Sequence, residues 1–219
     1  MFWSEIVRSK LNVIIDLDDT LMKTHEELVR LMKRDTGYEF KGKGFLTNEN
    51  TDGNLQAVLD KAEFMYTAKP NLDLVFQLQK LRSVLGDNIS IGFCTHREYH
   101  PHAMLYTNKM LARLSHVIDL YFFDLRYYLC PYRYPDKIAV LEEEHVNDFI
   151  ILDDNPKFDP NSYEGDDYRV MIYAQEWNKH MDVDDNLRVN HPTEFLSKLI
   201  NNPIFQERFN GCSEVQQLL

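Results

Sequence analysis

Apolar and polar positions along the chain form blocks that predict buried strands separated by helices. Short runs rich in β-branched and aromatic residues are typical of strands buried on both faces. Four such runs and a weaker fifth are Val13–Ile15, Ile89–Cys94, Phe149–Leu152, Val170–Tyr173 and Leu120–Phe123. Apolar residues spaced three and four apart predict helices between them. The predicted helices are His25–Arg34, Leu72–Leu85, Pro101–Leu114, Pro135–Glu144 and Thr193–Asn201. This alternation indicates an α/β fold, with a mostly parallel sheet flanked by helices.

The alternation is interrupted between residues 22 and 69, where helical patterns occur without a convincing strand. Glycine and asparagine residues mark irregular connections in this segment. The segment emerges at the carboxyl end of the first strand, so we interpret it as a small, mainly helical cap. The cap would cover a core of residues 1–21 and 70–219. A surface excursion without a role is the alternative.

Three acidic residues follow the first predicted strand within four positions: Asp16, Asp18 and Asp19. Carboxylates this close repel one another, and a bound divalent cation is a common reason for such crowding. The alternative is that Asp18, Asp19 and Thr20 cap the following helix, because Asp and Thr are favoured N-cap residues. The residues at the other predicted strand ends distinguish between a cation site and a helix cap.

Further polar side chains stand at two other strand ends and at one helix start: Thr95 and Arg97, Asp153 and Asp154, and Lys137. A parallel sheet collects the carboxyl ends of its strands at one edge, which is where open α/β sheets bind ligands. Carboxylates suit Mg²⁺, whereas a hydroxyl and an ammonium suit a phosphate. The combination is typical of phosphoryl transfer.

The spacing of the acids predicts a role for each group of the site. Asp16 is placed to act as a nucleophile that forms an aspartyl-phosphate. Asp18 is placed to protonate the leaving oxygen and then to activate the attacking water. Thr95, Lys137 and the backbone amides near Leu17 and Asp18 would contact the phosphate group.

In order and in flanking strands, these residues resemble the four motifs of the haloacid dehalogenase (HAD) superfamily of phosphatases. The matching residues are Asp16-Leu17-Asp18-Asp19-Thr20, Thr95, Lys137 and Asp153-Asp154. The resemblance covers about residues 11–21 and 72–199. It implies a Rossmann-like core, dependence on Mg²⁺ and an aspartate nucleophile.

The resemblance also implies a set of metal ligands. In the family pattern the metal is held by the first acid of the first motif, the backbone carbonyl of the second acid, and an acid of the last motif. In this chain these are Asp16, Asp18 and Asp154. Asp153, which stands where many members have glycine, is a further candidate.

Two finer features are similar to the 5′(3′)-deoxyribonucleotidases: the Cys94-Thr95 pair and the segment Ile172–Asn178 with the helix that follows it. Those proteins also have a short helical cap, and they usually have Gly-Val where this chain has Asp19-Thr20. The resemblance implies a 5′-nucleotidase acting on (deoxy)nucleoside monophosphates. Four aromatic residues of the cap segment are candidates to meet a base: Phe40, Phe45, Phe64 and Tyr66.

Two other functions stay open. Thr95-His96-Arg97 resembles the Ser-Gly-Arg of polynucleotide 3′-phosphatases, in which the Arg helps to hold the substrate. Arg97 could bind a phosphate through two parallel hydrogen bonds, or it could form a salt bridge with a neighbouring acid. The other alternative is a catalytically silent binding module of the same fold, which the intact motif set argues against.

The net charge, the length of the apolar runs and the cysteines indicate which partners and which compartment to expect. The formal net charge of −11 over 219 residues disfavours broad binding to nucleic acid, so a small phosphorylated substrate is expected, with a nucleic-acid end as the alternative. No apolar run approaches the roughly 20 residues that span a bilayer, so no membrane partner is expected. The scattered cysteines, Cys94, Cys130 and Cys212, are typical of a reducing compartment. We therefore expect a cytoplasmic protein.

Overall fold

A computed structural model describes residues 10–116, 127–129, 134, 136–156 and 167–218. Its strands are β1 (Leu11–Ile15), β2 (Ile89–Thr95), β3 (Tyr127–Leu129), β4 (Phe149–Asp153), β5 (Val170–Tyr173) and β6 (Arg188–Val189). Its α-helices are α1 (Thr24–Thr36), α2 (Asn54–Leu59), α3 (Phe64–Thr67), α4 (Leu72–Leu85), α5 (Ala103–Leu114), α6 (Lys137–Glu143), α7 (Phe195–Asn201) and α8 (Pro203–Phe209). The longest of these helices has 14 residues, and none within the described ranges has the apolar length that a membrane crossing requires.

The strands form one sheet in the order β3-β2-β1-β4-β5-β6. Every pair of neighbouring strands is parallel. Val13, at the centre of β1, pairs with Ile91 on one side and with Ile150 on the other. The predicted α/β class, with a parallel sheet flanked by helices, is confirmed.

Both faces of the sheet are buried, which explains why the strands are apolar runs rather than alternating ones. Val13 and Ile15 belong to an apolar cluster that includes residues of α4 and α7. Ile14 points the other way and belongs to a second cluster that includes residues of α6. Helices on both sides therefore leave only the strand ends accessible to a ligand.

Residues 24–67 contain α1, α2 and α3 and have an apolar cluster of their own, which includes Leu31, Val58 and Met65. The segments that lead into and out of this region are hydrogen bonded to each other. The Lys23 N–H donates to the carbonyl of residue 69 at 2.8 Å, and the N–H of residue 71 donates to the carbonyl of residue 21 at 2.7 Å. The division into a core and a cap at residues 21–22 and 69–70 stays a prediction.

Several element boundaries differ from those that the sequence predicts. The helix expected from Pro101 begins at Ala103, because residues 101 and 102 form a turn. The strands β3 and β6 were not predicted, since three and two residues are too few to show a periodicity. The helix α8 was also missed, although Asn202 caps it and Pro203 begins it, which is a recognisable start signal. The weak strand predicted at Leu120–Phe123 and the helix start at Pro135 lie outside the described residues.

Candidate active site

The predicted site residues surround the point where the strand order reverses. Proceeding from β1, the chain adds β2 and β3 on one side and β4, β5 and β6 on the other. Helices leave a crevice outside the carboxyl ends of the strands at such a point. Asp16 follows β1, Thr95 ends β2 and Asp153 ends β4. The topology alone therefore brings residues from three distant parts of the sequence to one edge.

Three carboxylates and one ammonium form the buried centre of the site. Oxygens of Asp16, Asp153 and Asp154 lie within 4.8 Å of one another. Lys137, the first residue of α6, donates from Nζ to Asp16 Oδ1 at 2.6 Å and lies 2.8 Å from Asp153 Oδ2. All four side chains are buried. Asp136 caps α6 by accepting from the Ala139 N–H at 2.8 Å, which fixes the helix start that carries Lys137.

Burial opposes the ionisation of two of the three carboxylates in this centre. Burial raises the pKa of Asp16 well above its ordinary value, and the charges of Asp153 and Asp154 add to the rise, while Lys137 opposes it. Burial likewise raises the pKa of Asp154, helped by nearby acids. Burial by itself would lower the pKa of Lys137, but its two carboxylate partners raise it instead, so the ammonium stays charged.

A divalent cation fits this donor set. When all three carboxylates are ionised they face one ammonium, so two negative charges have to be compensated, and buried charges in proteins are paired or bind metal. Mg²⁺ prefers carboxylate oxygens. The side chains that could hold it are Asp16, Asp153 and Asp154. Asp18 is predicted to bind the metal through its backbone carbonyl, and its side chain contacts Arg97 instead of the acid cluster.

Asp18 is bound by four hydrogen bonds from outside the acid cluster. Arg97 donates from Nε and Nη2 to its two oxygens, each at 2.7 Å, while Thr24 donates at 2.8 Å and Thr95 at 3.1 Å. Burial would raise the pKa of Asp18, but the charge and hydrogen bonds of Arg97, with those of the two threonines, outweigh it and lower that pKa. Asp18 is therefore held as a carboxylate.

Arg97 adopts the ion-pair arrangement that the sequence analysis gave as the alternative to phosphate binding. Its side chain is fully buried. Beyond Asp18, its Nη1 donates to the Met65 carbonyl of α3 at 3.0 Å and to Thr107 Oγ1 of α5 at 3.3 Å. Arg97 therefore lies beneath the strand-end loop rather than at its surface. The guanidinium links the acid loop to the region of residues 24–67.

Asp19 and Thr20 serve the structure of the loop. Asp19 has a φ of 61°, the left-handed region in which glycine is favoured and Asp is among the better tolerated residues. Its Oδ1 accepts from the His25 N–H in the first turn of α1 at 2.5 Å, whereas the N-cap position of that helix is Lys23 rather than one of the predicted residues. Thr20 Oγ1 accepts from the Asp154 N–H at 3.1 Å. Leu17 lies between the two predicted catalytic acids with its side chain buried in the core.

A short turn after β5 contacts the acid loops, a role that the sequence did not indicate. Gln175 Nε2 donates to the Asp19 carbonyl at 2.5 Å. Trp177 Nε1 donates to Asp154 Oδ2 at 2.9 Å, and Asn178 Nδ2 donates to the Asp154 carbonyl at 2.9 Å. Polar residues after a strand end indicate a place near the site, but the sequence does not show which groups their side chains contact.

Aromatic side chains of the predicted cap differ in their access to the site. Phe45 is 53% exposed and meets the Trp177 ring edge-on at 5.9 Å between centroids. Phe64 is buried in the apolar cluster of residues 31–65, so it cannot meet a base. Tyr66 contacts Tyr106 on α5, and Phe40 packs partly against the cluster.

Comparison with known proteins identifies the fold. No protein-family model matches the chain, and no curated protein is similar to it in sequence. A haloacid dehalogenase-like family hydrolase from Xanthomonas campestris has a similar structure, with a TM-score of 0.52, 12% identity, and coverage of 91% of this chain and 98% of that one. A HAD-superfamily hydrolase of subfamily IA from Geobacter sulfurreducens aligns over 86% of this chain and 99% of its own, at 11% identity and a TM-score of 0.42. The first likeness establishes a shared fold, the Rossmann-like core that the sequence predicts.

Proposed function

We propose that this protein is a Mg²⁺-dependent phosphomonoesterase of the HAD superfamily that acts on (deoxy)nucleoside monophosphates. One observation carries the proposal. Asp16, Asp153 and Asp154 are buried around Lys137 at the reversal point of a parallel sheet, with two negative charges left to compensate. A cation and a phosphate ester together complete such a site, since the cation offsets both the acids and the phosphate.

Asp16 is the proposed nucleophile. Its carboxylate attacks phosphorus, a bond from Asp16 to phosphorus forms, and the bond from phosphorus to the ester oxygen breaks. Lys137, 2.6 Å from Asp16 Oδ1, orients the carboxylate and stabilises its charge. A bound Mg²⁺ would supply positive charge to the phosphate oxygens and to Asp16. Water then hydrolyses the aspartyl-phosphate and releases inorganic phosphate.

Asp18 is the proposed acid and base. As the carboxylate that Arg97 and two threonines hold, it is ready to accept a proton from water in the second half of the reaction. In the first half it has to donate a proton to the leaving oxygen. The two hydrogen bonds from Arg97 oppose protonation of Asp18. Substrate binding would therefore have to weaken one of these two hydrogen bonds.

The nucleotide part of the proposal is supported by the aromatic groups beside the acid cluster. Trp177 contacts Asp154 directly, and the exposed ring of Phe45 lies against it. Exposed aromatic rings next to a phosphate-binding site suit a nucleobase, because bases stack on them. The formal net charge of −11 favours a small nucleotide over a polynucleotide end.

Phosphate release from a panel of substrates tests the proposal. The panel contains 5′- and 3′-nucleotides, sugar phosphates and 3′-phosphorylated oligonucleotides, each assayed with Mg²⁺ and with EDTA. We expect Mg²⁺-dependent release that is fastest from 5′-mononucleotides. Preference for the oligonucleotides would favour the polynucleotide 3′-phosphatase. No release from any substrate would leave the silent binding module as the better account.

A further inference from the structure

Asp154 differs from the other acids of the site in the groups that hold it. Asp16 and Asp153 share the Lys137 ammonium, and Asp18 has the Arg97 guanidinium. In the part of the chain that the structure describes, no lysine, arginine or histidine forms an ion pair with Asp154. Its Oδ2 accepts instead from the neutral indole of Trp177 at 2.9 Å.

We propose that Trp177 is a positioning residue that orients the Asp154 carboxylate for the divalent cation. The inference rests on the metal site of the proposed function. A neutral N–H donor fixes the direction of a carboxylate without compensating its charge, so the charge remains available to a metal. Donors of this kind to metal-binding carboxylates orient the ligand and contribute to metal affinity.

The surroundings of Trp177 hold the indole in this orientation. The His25 ring stacks on it, with 5.3 Å between centroids and 29° between planes. Phe45 packs edge-on from another direction, at 5.9 Å and 74°. Both rings belong to the predicted cap segment. Residues far from Trp177 in sequence therefore stabilise the orientation in which it contacts Asp154.

Other residues hold the backbone of Asp154, so the hydrogen bond from the indole acts on the carboxylate alone. Asn178 donates to the Asp154 carbonyl, and Thr20 accepts from its N–H. Thr20 Oγ1 also lies 3.4 Å from Oδ1, a long contact for a hydrogen bond between oxygens. The shorter bond from Trp177 therefore sets the rotation of the carboxylate.

Calorimetric titration with Mg²⁺ tests this role directly, using Trp177→Phe. Phenylalanine keeps an aromatic ring between His25 and Phe45 but has no N–H. We expect the dissociation constant for Mg²⁺ to rise about tenfold. The matched control is Tyr168→Phe, which removes one polar group from an exposed aromatic residue at the opposite end of β5 and should bind Mg²⁺ as the unmodified protein does.

Two further readouts separate positioning from a general structural effect. In a Trp3→Phe variant, Trp177 is the only tryptophan, and its fluorescence should change on Mg²⁺ addition with a midpoint equal to the calorimetric constant. In Trp177→Phe, the Mg²⁺ concentration for half-maximal phosphate release should rise about tenfold. A residue that only supported the fold would change the metal-free melting temperature instead.

The possible results distinguish this inference from the proposed function. Unchanged Mg²⁺ affinity in Trp177→Phe, or fluorescence of Trp177 that does not respond to saturating Mg²⁺, would overturn the inference and leave the phosphatase proposal intact. Weakened Mg²⁺ binding in a protein that releases no phosphate from any substrate would support the inference and overturn the phosphatase. If the unmodified protein binds no Mg²⁺, both are wrong. Should Trp177→Phe not fold, Trp177→Met, whose side chain has no N–H or O–H donor, takes its place.

Discussion

At the scale of single residues, the acids of the site differ in the groups that hold them. Asp16 and Asp153 share an ammonium, Asp18 has a guanidinium, and Asp154 has a neutral indole. Crowded, buried carboxylates lower the stability of a folded chain, and such costs are common at functional sites. Substitutions here should therefore affect activity and stability in different directions.

Asp16→Asn should abolish turnover without damaging the fold. Asparagine is not the nucleophile that the proposed reaction needs, so phosphate release should fall by roughly 10³-fold or more. The melting temperature should be unchanged or higher, because one of three mutually repelling carboxylates is gone. Phosphate release and thermal unfolding measure the two effects. The exposed Asp182→Asn is the control and should change neither. Near-normal activity in Asp16→Asn would contradict the aspartyl-phosphate mechanism.

Arg97→Met should destabilise the protein strongly. The substitution leaves the Asp18 charge without its cation and the Met65 carbonyl without a donor. Removing one partner of a buried ion pair costs about 3 kcal/mol or more in free energy of unfolding. Urea denaturation of Arg97→Met, Asp18→Asn and the double variant measures the coupling. We expect the free energy of unfolding to fall less in the double variant than the sum of its falls in the two single variants. Strictly additive losses would mean that the two side chains do not stabilise each other.

At the scale of elements, Glu27 joins the first and third helices of the predicted cap. Its carboxylate, on α1, accepts two hydrogen bonds of 2.7 Å from Arg30 and one of 2.5 Å from Thr67 Oγ1 on α3. The hydrogen bonds from Arg30 lower the pKa of Glu27, against the opposing effect of burial. The ionised form of Glu27 therefore stabilises the packing of α1 on α3.

The lowered pKa predicts how this stabilisation depends on pH. A carboxyl whose pKa is lower in the folded state stabilises the fold above its unfolded pKa, near 4.3, and loses that effect as the pH falls through the folded value. Glu27→Gln should cost about 0.5 kcal/mol at pH 7, because Arg30 is half exposed and solvent screens the pair. The difference should be smaller at pH 3, which lies below the unfolded pKa.

Chemical denaturation at both pH values checks this prediction. Glu26→Gln is the matched control, since Glu26 is the exposed neighbour on the same helix, 3.7 Å from Lys23. It should have little effect at either pH. A cost of Glu27→Gln that persisted unchanged at pH 3 would mean that shape, rather than charge, stabilises this contact.

At the scale of the whole molecule, the acid cluster depends on the closure of the fold. Lys137 and Asp16 are 121 positions apart, and Thr20 and Asp154 are 134 apart. In the unfolded chain Asp16 is far from Asp153 and Asp154, so the three acids bind a cation weakly. Folding brings their carboxylates together. A ligand that binds only the folded state stabilises it by mass action.

Mg²⁺ should therefore raise the melting temperature of the protein. At one hundred times the dissociation constant the stabilisation is about 2.7 kcal/mol, which corresponds to about 6 °C for a chain of this size. Differential scanning calorimetry in MgCl₂, in NaCl of equal ionic strength and after EDTA addition measures it. Only MgCl₂ should raise the melting temperature, and EDTA should reverse the rise. Equal melting temperatures in the two salts would argue against the metal site.

Local patterns in the sequence were sufficient for much of this architecture. The strand Val170–Tyr173 and the helix Leu72–Leu85 have the predicted boundaries, because hydrophobic periodicity and apolar runs reflect the geometry of a single element. The order of strands and helices predicted a parallel sheet, and with it the edge where Asp16, Thr95 and Asp153 meet. The substrate remains a prediction from the resemblance.

Only the tertiary structure decided which side chain each polar group contacts. Whether Arg97 binds a phosphate or an acid depends on how deeply packing buries its guanidinium beside Asp18. The contact of Trp177 with Asp154 depends on rings from α1 and the loop that follows it. Periodicity describes which face of an element is buried, whereas a hydrogen bond between distant residues depends on how whole elements pack. The sequence by itself therefore determined the fold and the position of the acid cluster, and the packed structure determined the partner of each acid.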